Sequence, residues 1–424
     1  MSHFAVVAPA YYSHFQAFQA LAVELIERGH RVTFFQQADA RAWLSDARIG
    51  FHALGRSTHG PGCLADSLRR AGQPCHPLGL KRLIDQLVSS TAMLCAELPA
   101  ALARQGIDAV LCDEMEAAGA LVAEASGLPY ISVACALPVN REPHLPLSVM
   151  PFAYAEDERS LRLYEGSRKV HDWLMRPLRQ VLHEAARQLH VAPRDGVHEG
   201  LSPLAQISQT IAALDFPRRA APAHLHHVGP LRPTLPEPCG GWPVDPLRPL
   251  IFASLGTLQG ERLGMFRQMA RACRQMNLQL LIAHCGALDK TREALLLDEG
   301  AIWVTAFAAQ RQVLQQADAV ITHGGLNTVM DAIATQTPML VMPIAFDQHG
   351  VAARVSYSGA GLQLNRRARA PRIAEALDEL LARPLPRLAQ LAAQLQQAGG
   401  TRRAADIVEQ VLRSGRPVLA EATP

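Results

Sequence analysis

Residues able to hold an anion follow a short apolar run: His323-Gly324-Gly325-Leu326-Asn327-Thr328 comes after Ala319-Val320-Ile321-Thr322. Such a turn fills a core poorly and holds a diphosphate well. Glycine lets the backbone approach an anion, and amides exposed at a helix start favour negative charge. A histidine donor can stabilise charge gathering on a leaving phosphate. The competing reading is a helix-capping turn with a structural histidine. Asn327 and Thr328 could hydrogen-bond the same phosphates. Asp331, on the next helical turn, could accept two vicinal ribose hydroxyls, with an ordinary surface aspartate as the rival. Ser254-Leu255-Gly256-Thr257 ends another apolar run and offers a second phosphate-side turn, although alone it is equally a tight turn. Asp347-Gln348 supplies acceptors and an amide suited to adjacent sugar hydroxyls, against a capped helix start.

Two residues of the first half complete the chemistry. His14 is expected in the first strand-to-helix loop, residues 8–15, and Asp113 closes a later strand. An imidazole near neutral pKa can take a proton from an acceptor hydroxyl, and a carboxylate can orient it. From spacing alone, two unrelated loop residues is the plainer reading. The chain has no DxD pair, HExxH or GxSxG, so no catalytic metal is expected and serine hydrolysis lacks a motif.

The elements that must position these groups alternate in type. Strands are expected at residues 4–8, 32–35, 109–112, 130–134, 250–254, 279–283, 302–304, 319–321 and 339–342. Helical stretches at 15–28 and 116–126, and one beginning near 329, separate some of them. That rhythm predicts α/β structure with a parallel sheet covered on both faces. Seven prolines between 230 and 249 mark a linker, dividing an N-terminal domain (1–229) from a C-terminal one (250–424). Residues 371–412 should be helical, broken near Gly399-Gly400, and the last helix is expected to cross back to the first domain. Residues 137–152 carry four prolines among Leu145, Leu147, Val149 and Met150. They read either as a packed loop or as an apolar wall beside the site.

At 424 residues the chain exceeds one ordinary core, and 49% apolar residues suffice for two. A net charge of +3 gives no case for nucleic acid. The eight cysteines, at 63, 75, 95, 112, 135, 239, 273 and 285, show no CxxC spacing, so they are expected to be unbridged and zinc-free, in a reducing compartment. No signal peptide and no spanning run of about 20 apolar residues is read, which leaves a cytoplasmic protein with peripheral contact at the inner membrane open.

Residues 307–352 resemble the donor-binding signature of the family 1, UDP-sugar-dependent glycosyltransferases. The matching residues are Gln310, the turn from His323 to Thr328, Asp331, Pro338, Pro343 and Asp347-Gln348. The first half, with His14 and Asp113, fits too. The resemblance implies the GT-B fold, two Rossmann-like domains facing across a cleft. Residues 15–35, 134–152 and 252–260 resemble members that glucosylate carotenoids, which implies UDP-glucose as donor, a hydrophobic carotenoid acceptor and no permanently bound cofactor. By resemblance, His14 is the general base and Asp113 its partner. His323, Gly325, Asn327 and Thr328 surround the diphosphate, and Gly256 and Thr257 line it. Asp331 takes the ribose, and Asp347 and Gln348 hold glucose. Phe307, with Ala308 beside it, stands where plant relatives stack tryptophan on uracil. Ala309 replaces a proline and Val351 an asparagine. A glycosyltransferase for a sterol, polyketide or macrolide, a UDP-sugar epimerase and a non-catalytic nucleotide-sugar-binding module are the alternatives.

Overall fold

A computed structural model describes residues 1–72, 77–233, 241–382 and 385–420. Two parallel sheets organise them. The first contains β1 (His3–Val7), β2 (Arg31–Gln37), β3 (Gly50–Leu54), β4 (Ala109–Asp113), β5 (Tyr130–Ala134), β6 (Gln206–Ser208) and β7 (Leu225–His227), in the order β3-β2-β1-β4-β5-β6-β7. The second contains β8 (Leu250–Ser254), β9 (Gln279–Ala283), β10 (Trp303–Thr305), β11 (Ala319–Thr322), β12 (Met339–Val341) and β13 (Gly361–Gln363), in the order β10-β9-β8-β11-β12-β13. This is the GT-B arrangement expected from the sequence.

The central strands are apolar throughout because helices cover both faces. Phe4, Ala5, Val6 and Val7 are buried, as are Ile251, Phe252 and Ala253. The helix Tyr12–Glu27 lays Phe15, Phe18, Leu21 and Leu25 on the first sheet at helical spacing. Each sheet reverses its strand order once, between β1 and β4 and between β8 and β11. At such a reversal the connections diverge and leave a crevice beyond the carboxyl ends of the strands. His14 follows β1 and Asp113 ends β4; Gly256 follows β8 and His323 follows β11.

Several expectations need correction. His14 lies in the first turn of its helix, not in a loop, because Tyr12-Ser13-His14 carries no apolar period to announce the helix start. Strands β6, β7 and β13, each with one large apolar residue in three, make no apolar run, unlike the equally short β10 and β12, and β3 also went unread. The C-terminal region forms three helices, Ala370–Ala382, Pro386–Gln397 and Gly400–Ser414, so there is a break before Pro386 as well as at Gly399-Gly400. The helix Pro77–Gln105 is long and apolar enough, by length and composition, to cross a membrane. No uninterrupted run announces it because Asp85 and Glu97 punctuate it. Its Met93, Leu94, Leu98 and Leu102 pack in the core of the first half with Leu178 and Leu182. Residues 137–152 form no helix or strand. Cys75, Cys239, Pro236, Pro238 and Gly240 lie outside the described residues.

The halves meet along a tight seam. Asp215, beyond β6, receives Arg354 Nε from the helix Gln348–Ser358 at 2.6 Å and Arg218 Nε at 2.8 Å. The Arg354 guanidinium also lies 4.2 Å from the Phe216 ring centre. A Cβ at Gly350 would stand 2.0 Å from the Ser148 carbonyl oxygen, so the backbones touch there. The last helix returns to the first sheet, where Ile407, Val408 and Val411 join the core of Phe15 and Phe18.

Burial opposes ionisation of Asp215, but the charges and hydrogen bonds of Arg354 and Arg218 overcome it and hold its carboxyl well below the usual range. A depressed carboxylate contributes stability above its unfolded pKa of about 3.9, lost as pH falls through the folded value. Asp215→Asn leaves the buried Arg354 guanidinium without its counter-charge, while Arg218 keeps Glu142 at 3.4 Å, and should cost about 3–5 kcal/mol. Urea unfolding at pH 7 measures this; a loss under about 1 kcal/mol would show that the triad does not hold the seam.

Candidate active site

The His14 ring is clamped from one side. Its Nδ1 donates to Asp113 Oδ2 at 2.6 Å, while Asp113 Oδ1 accepts the Met115 amide at 2.8 Å. The Cys135 thiol, which burial pushes well above its ordinary pKa, donates to the same carboxylate. A carboxylate only accepts, so the proton sits on Nδ1 and the Nε2 lone pair remains on the far side of the ring. Burial alone would lower the His14 pKa. The charge and hydrogen bond of Asp113, with a further contribution from Asp347, outweigh it and raise the value above 6.5. His14, Asp113 and Cys135 are the one group among the described residues dense enough in donor atoms to hold an ion, and the His14–Asp113 bond already engages two of them.

The second half faces this ring. Tyr11 lies 5.8 Å from the His14 ring and 6.3 Å from the Phe346 ring, which joins the two sides. Phe346 adopts φ 55°, a left-handed conformation that bulky residues rarely take. Gln348 Oε1 holds the bend by accepting the amides of Ile344 and Ala345 at 3.0 and 2.9 Å. That oxygen is therefore engaged within its own loop. Asp347 Oδ2 accepts the Leu137 amide of the first half at 3.2 Å, and burial raises its pKa despite that bond.

His323 is sandwiched. A Cβ on Gly256 would lie 2.7 Å from His323 Cε1, and one on Gly325 would lie 2.6 Å from it. Burial pushes its pKa down to about 4, opposed by a hydrogen bond to the Ser254 carbonyl. The neutral ring carries one N–H and one lone pair, and its Nδ1 lies 3.5 Å from Thr322 Oγ1. Thr328 Oγ1 donates to Gln310 Oε1 at 3.2 Å, and Gln310 Nε2 to Asp331 Oδ2 at 2.7 Å. Asp331 Oδ1 accepts Arg232 Nε at 3.1 Å, so both its oxygens are engaged. The same guanidinium donates to Asn327 Oδ1 at 3.2 Å. Arg232 escaped the sequence reading because an arginine between prolines in a linker looks like solvated surface.

Phe307 is 68% exposed, an aromatic face left open at the cleft. It and Thr257 line a cavity of about 430 Å³ together with Tyr12 and Trp43 from the first half. Neither His14 nor His323 lines that cavity, so it is one end of the cleft and not its chemical centre. Ala308 packs against the core of the second half. A cavity of about 110 Å³ under residues 138–149 is walled by Val139, Leu145, Leu147, Val149 and Met115. Two further carboxyls beside Asp113 were not foreseen: burial pushes Glu114 and Glu116 each up to about 7, and each keeps one oxygen without a hydrogen-bond partner.

Residues 81–387 match the family described as UDP-glucoronosyl and UDP-glucosyl transferase. The chain is 48% identical over 424 residues to the zeaxanthin glucosyltransferase of Pantoea ananas, covering 99% of this chain and 98% of that one. It is 47% identical over 421 residues to the zeaxanthin glucosyltransferase of Pseudescherichia vulneris, covering 99% and 100%. The structure of the calicheamicin glycosyltransferase CalG4 superposes with a TM-score of 0.76 at 22% identity, over 98% of this chain and 100% of that one, a likeness of fold.

Gly325 has ordinary φ, so Gly325→Ala adds only a clash with His323. Overpacking of this kind costs about 1–3 kcal/mol, and displacement of the ring should weaken UDP binding about tenfold or more. Titration calorimetry with UDP tests this; unchanged affinity would show that the ring's position does not matter to the donor.

Proposed function

Since the chain belongs to the UDP-glucoronosyl and UDP-glucosyl transferase family, we propose that it is an inverting glucosyltransferase moving glucose from UDP-glucose to the hydroxyls of zeaxanthin, giving β-glucosides. The observation that carries this reading is the hydrogen bond between His14 Nδ1 and Asp113, which leaves Nε2 as a base on the side of the ring away from Asp113. Near-full-length identity to two zeaxanthin glucosyltransferases supports the acceptor.

The acceptor oxygen attacks the anomeric carbon while His14 Nε2 takes its proton. The bond from that carbon to the diphosphate oxygen breaks, and UDP leaves with the electron pair from the opposite face. Asp113 stabilises the imidazolium that forms. Amides at the start of the helix Leu326–Ala334 and the Asn327 side chain meet the charge on UDP. Phe307 and Ala308 flank the uracil, Gln310 and Asp331 reach the ribose, and Gly256, Thr257, His323, Gly325 and Thr328 shape the phosphate side. Asp347 and the amide nitrogen of Gln348 hold glucose. In this reading the acceptor domain is 1–229, the linker 230–249 and the donor domain 250–424. Residues 137–152, with the apolar cavity beneath them, and residues 78–98 form a lipophilic wall that meets the membrane peripherally.

His14→Ala should lower kcat by about 10²–10⁴ with UDP affinity unchanged. Equal loss of both would mark His14 as structural or donor-binding. An acceptor screen with UDP-glucose, read by product mass, decides the substrate: product from a sterol or macrolide and none from zeaxanthin would sink the assignment. Liposome co-sedimentation tests the wall, and no binding with or without acceptor would count against it.

A further inference from the structure

The side chains assigned to the donor include no permanent cation, yet its diphosphate is strongly anionic. His323 is neutral in this fold. Arg232 is the charge at hand. Its backbone is fixed by the last helix: its amide donates to Thr401 Oγ1 at 3.0 Å and its carbonyl accepts that hydroxyl at 2.9 Å. From there the side chain reaches the first turn of the helix Leu326–Ala334. Nη1 donates to Asn327 Oδ1 at 3.2 Å and to the Leu231 carbonyl at 3.2 Å, and Nη2 donates to the Asn327 carbonyl at 3.1 Å. Nε takes Asp331 Oδ1 at 3.1 Å.

Two consequences follow from the donor inventory. An asparagine amide presents either an acceptor or a donor, and the two ends look alike in shape. A guanidinium only donates, so it must face Asn327 Oδ1, and the Nδ2 hydrogens are turned to the other side. An asparagine held this way offers N–H groups to an anion and cannot repel it with its oxygen. Arginine also has five N–H donors, of which the four bonds above use four. The Arg232 side chain is 21% exposed, so the guanidinium is not sealed in.

We propose that Arg232 is a positioning residue of the donor site: it locks Asn327 with its amide donor toward the diphosphate and adds the positive charge that the site otherwise lacks. The inference rests on the UDP-sugar reading above. It also makes the start of the linker part of the donor site, since Arg232 is anchored to Thr401 through its backbone and to Asn327 and Asp331 through its side chain.

The test compares UDP with uridine, which lacks phosphates, on the full chain by calorimetry, together with steady-state kinetics for UDP-glucose. Arg232→Gln should weaken UDP at least tenfold, leave uridine affinity within twofold, and raise KM with kcat changed less than threefold. Arg232→Lys, which keeps charge but cannot engage Asn327 and Asp331 together, should recover only part of the loss. In Arg232→Gln, the further substitution Asn327→Ala should cost much less than it does in the unaltered chain. Equal weakening of UDP and uridine would reduce Arg232 to a support for Asp331, and unchanged UDP binding would remove it from the site; either overturns the proposal. Absence of UDP binding to the unaltered chain would instead strike the donor reading itself. If Arg232→Gln does not fold, Arg232→Lys carries the same UDP-to-uridine comparison.

Discussion

A buried carboxylate gripped by guanidiniums at the seam of two sheets governs this molecule. Neither half holds the complete site. His14 and its partner Asp113 rise from one switch point, and the glycine-flanked His323 rises from the other. Their separation depends on contacts that join the halves: Asp215 with Arg354, the Gly350 backbone against Ser148, and the Leu137 amide on Asp347. The last of these is a hydrogen bond between loops of the opposing halves, so the surroundings of Asp347 are built partly from first-half backbone.

Burial sets the charges of the cleft as much as residue type does. It makes His323 neutral, and it pushes Glu114 and Glu116 each up to about 7 beside the hydrogen bond between His14 and Asp113. Only His14 is driven upward against burial, because Asp113 accepts directly from it. The histidine placed to take a proton and the histidine held against the donor turn are therefore distinguished by their second partner: a carboxylate for one, a backbone carbonyl for the other.

Much of this was legible in the sequence. Among the described residues, nine of the thirteen strands are legible as apolar runs, because central parallel strands are apolar on both faces and carry a strong signal. The glycine turns after β8 and β11 were legible as turns. What no sequence pattern could reveal is that Gly256 and Gly325 close on the two sides of one imidazole, since that depends on how two strands register. The short strands, the helical start at Tyr12 and the Arg232 contacts were missed for related reasons. A single apolar residue makes no run, an aromatic-polar helix start shows no amphipathicity, and an arginine's partner 95 positions away leaves no local trace.

The return of the final helix has a mechanical implication. Gly400 donates its amide to the Val228 carbonyl at 2.7 Å, and Thr401 clasps Arg232, so the outgoing and incoming polypeptide are stapled together where they pass between the halves. Two stapled crossings behave as a door hinge with two pins. Parting the halves means breaking both pins as well as the contacts at Asp215, Gly350 and Asp347.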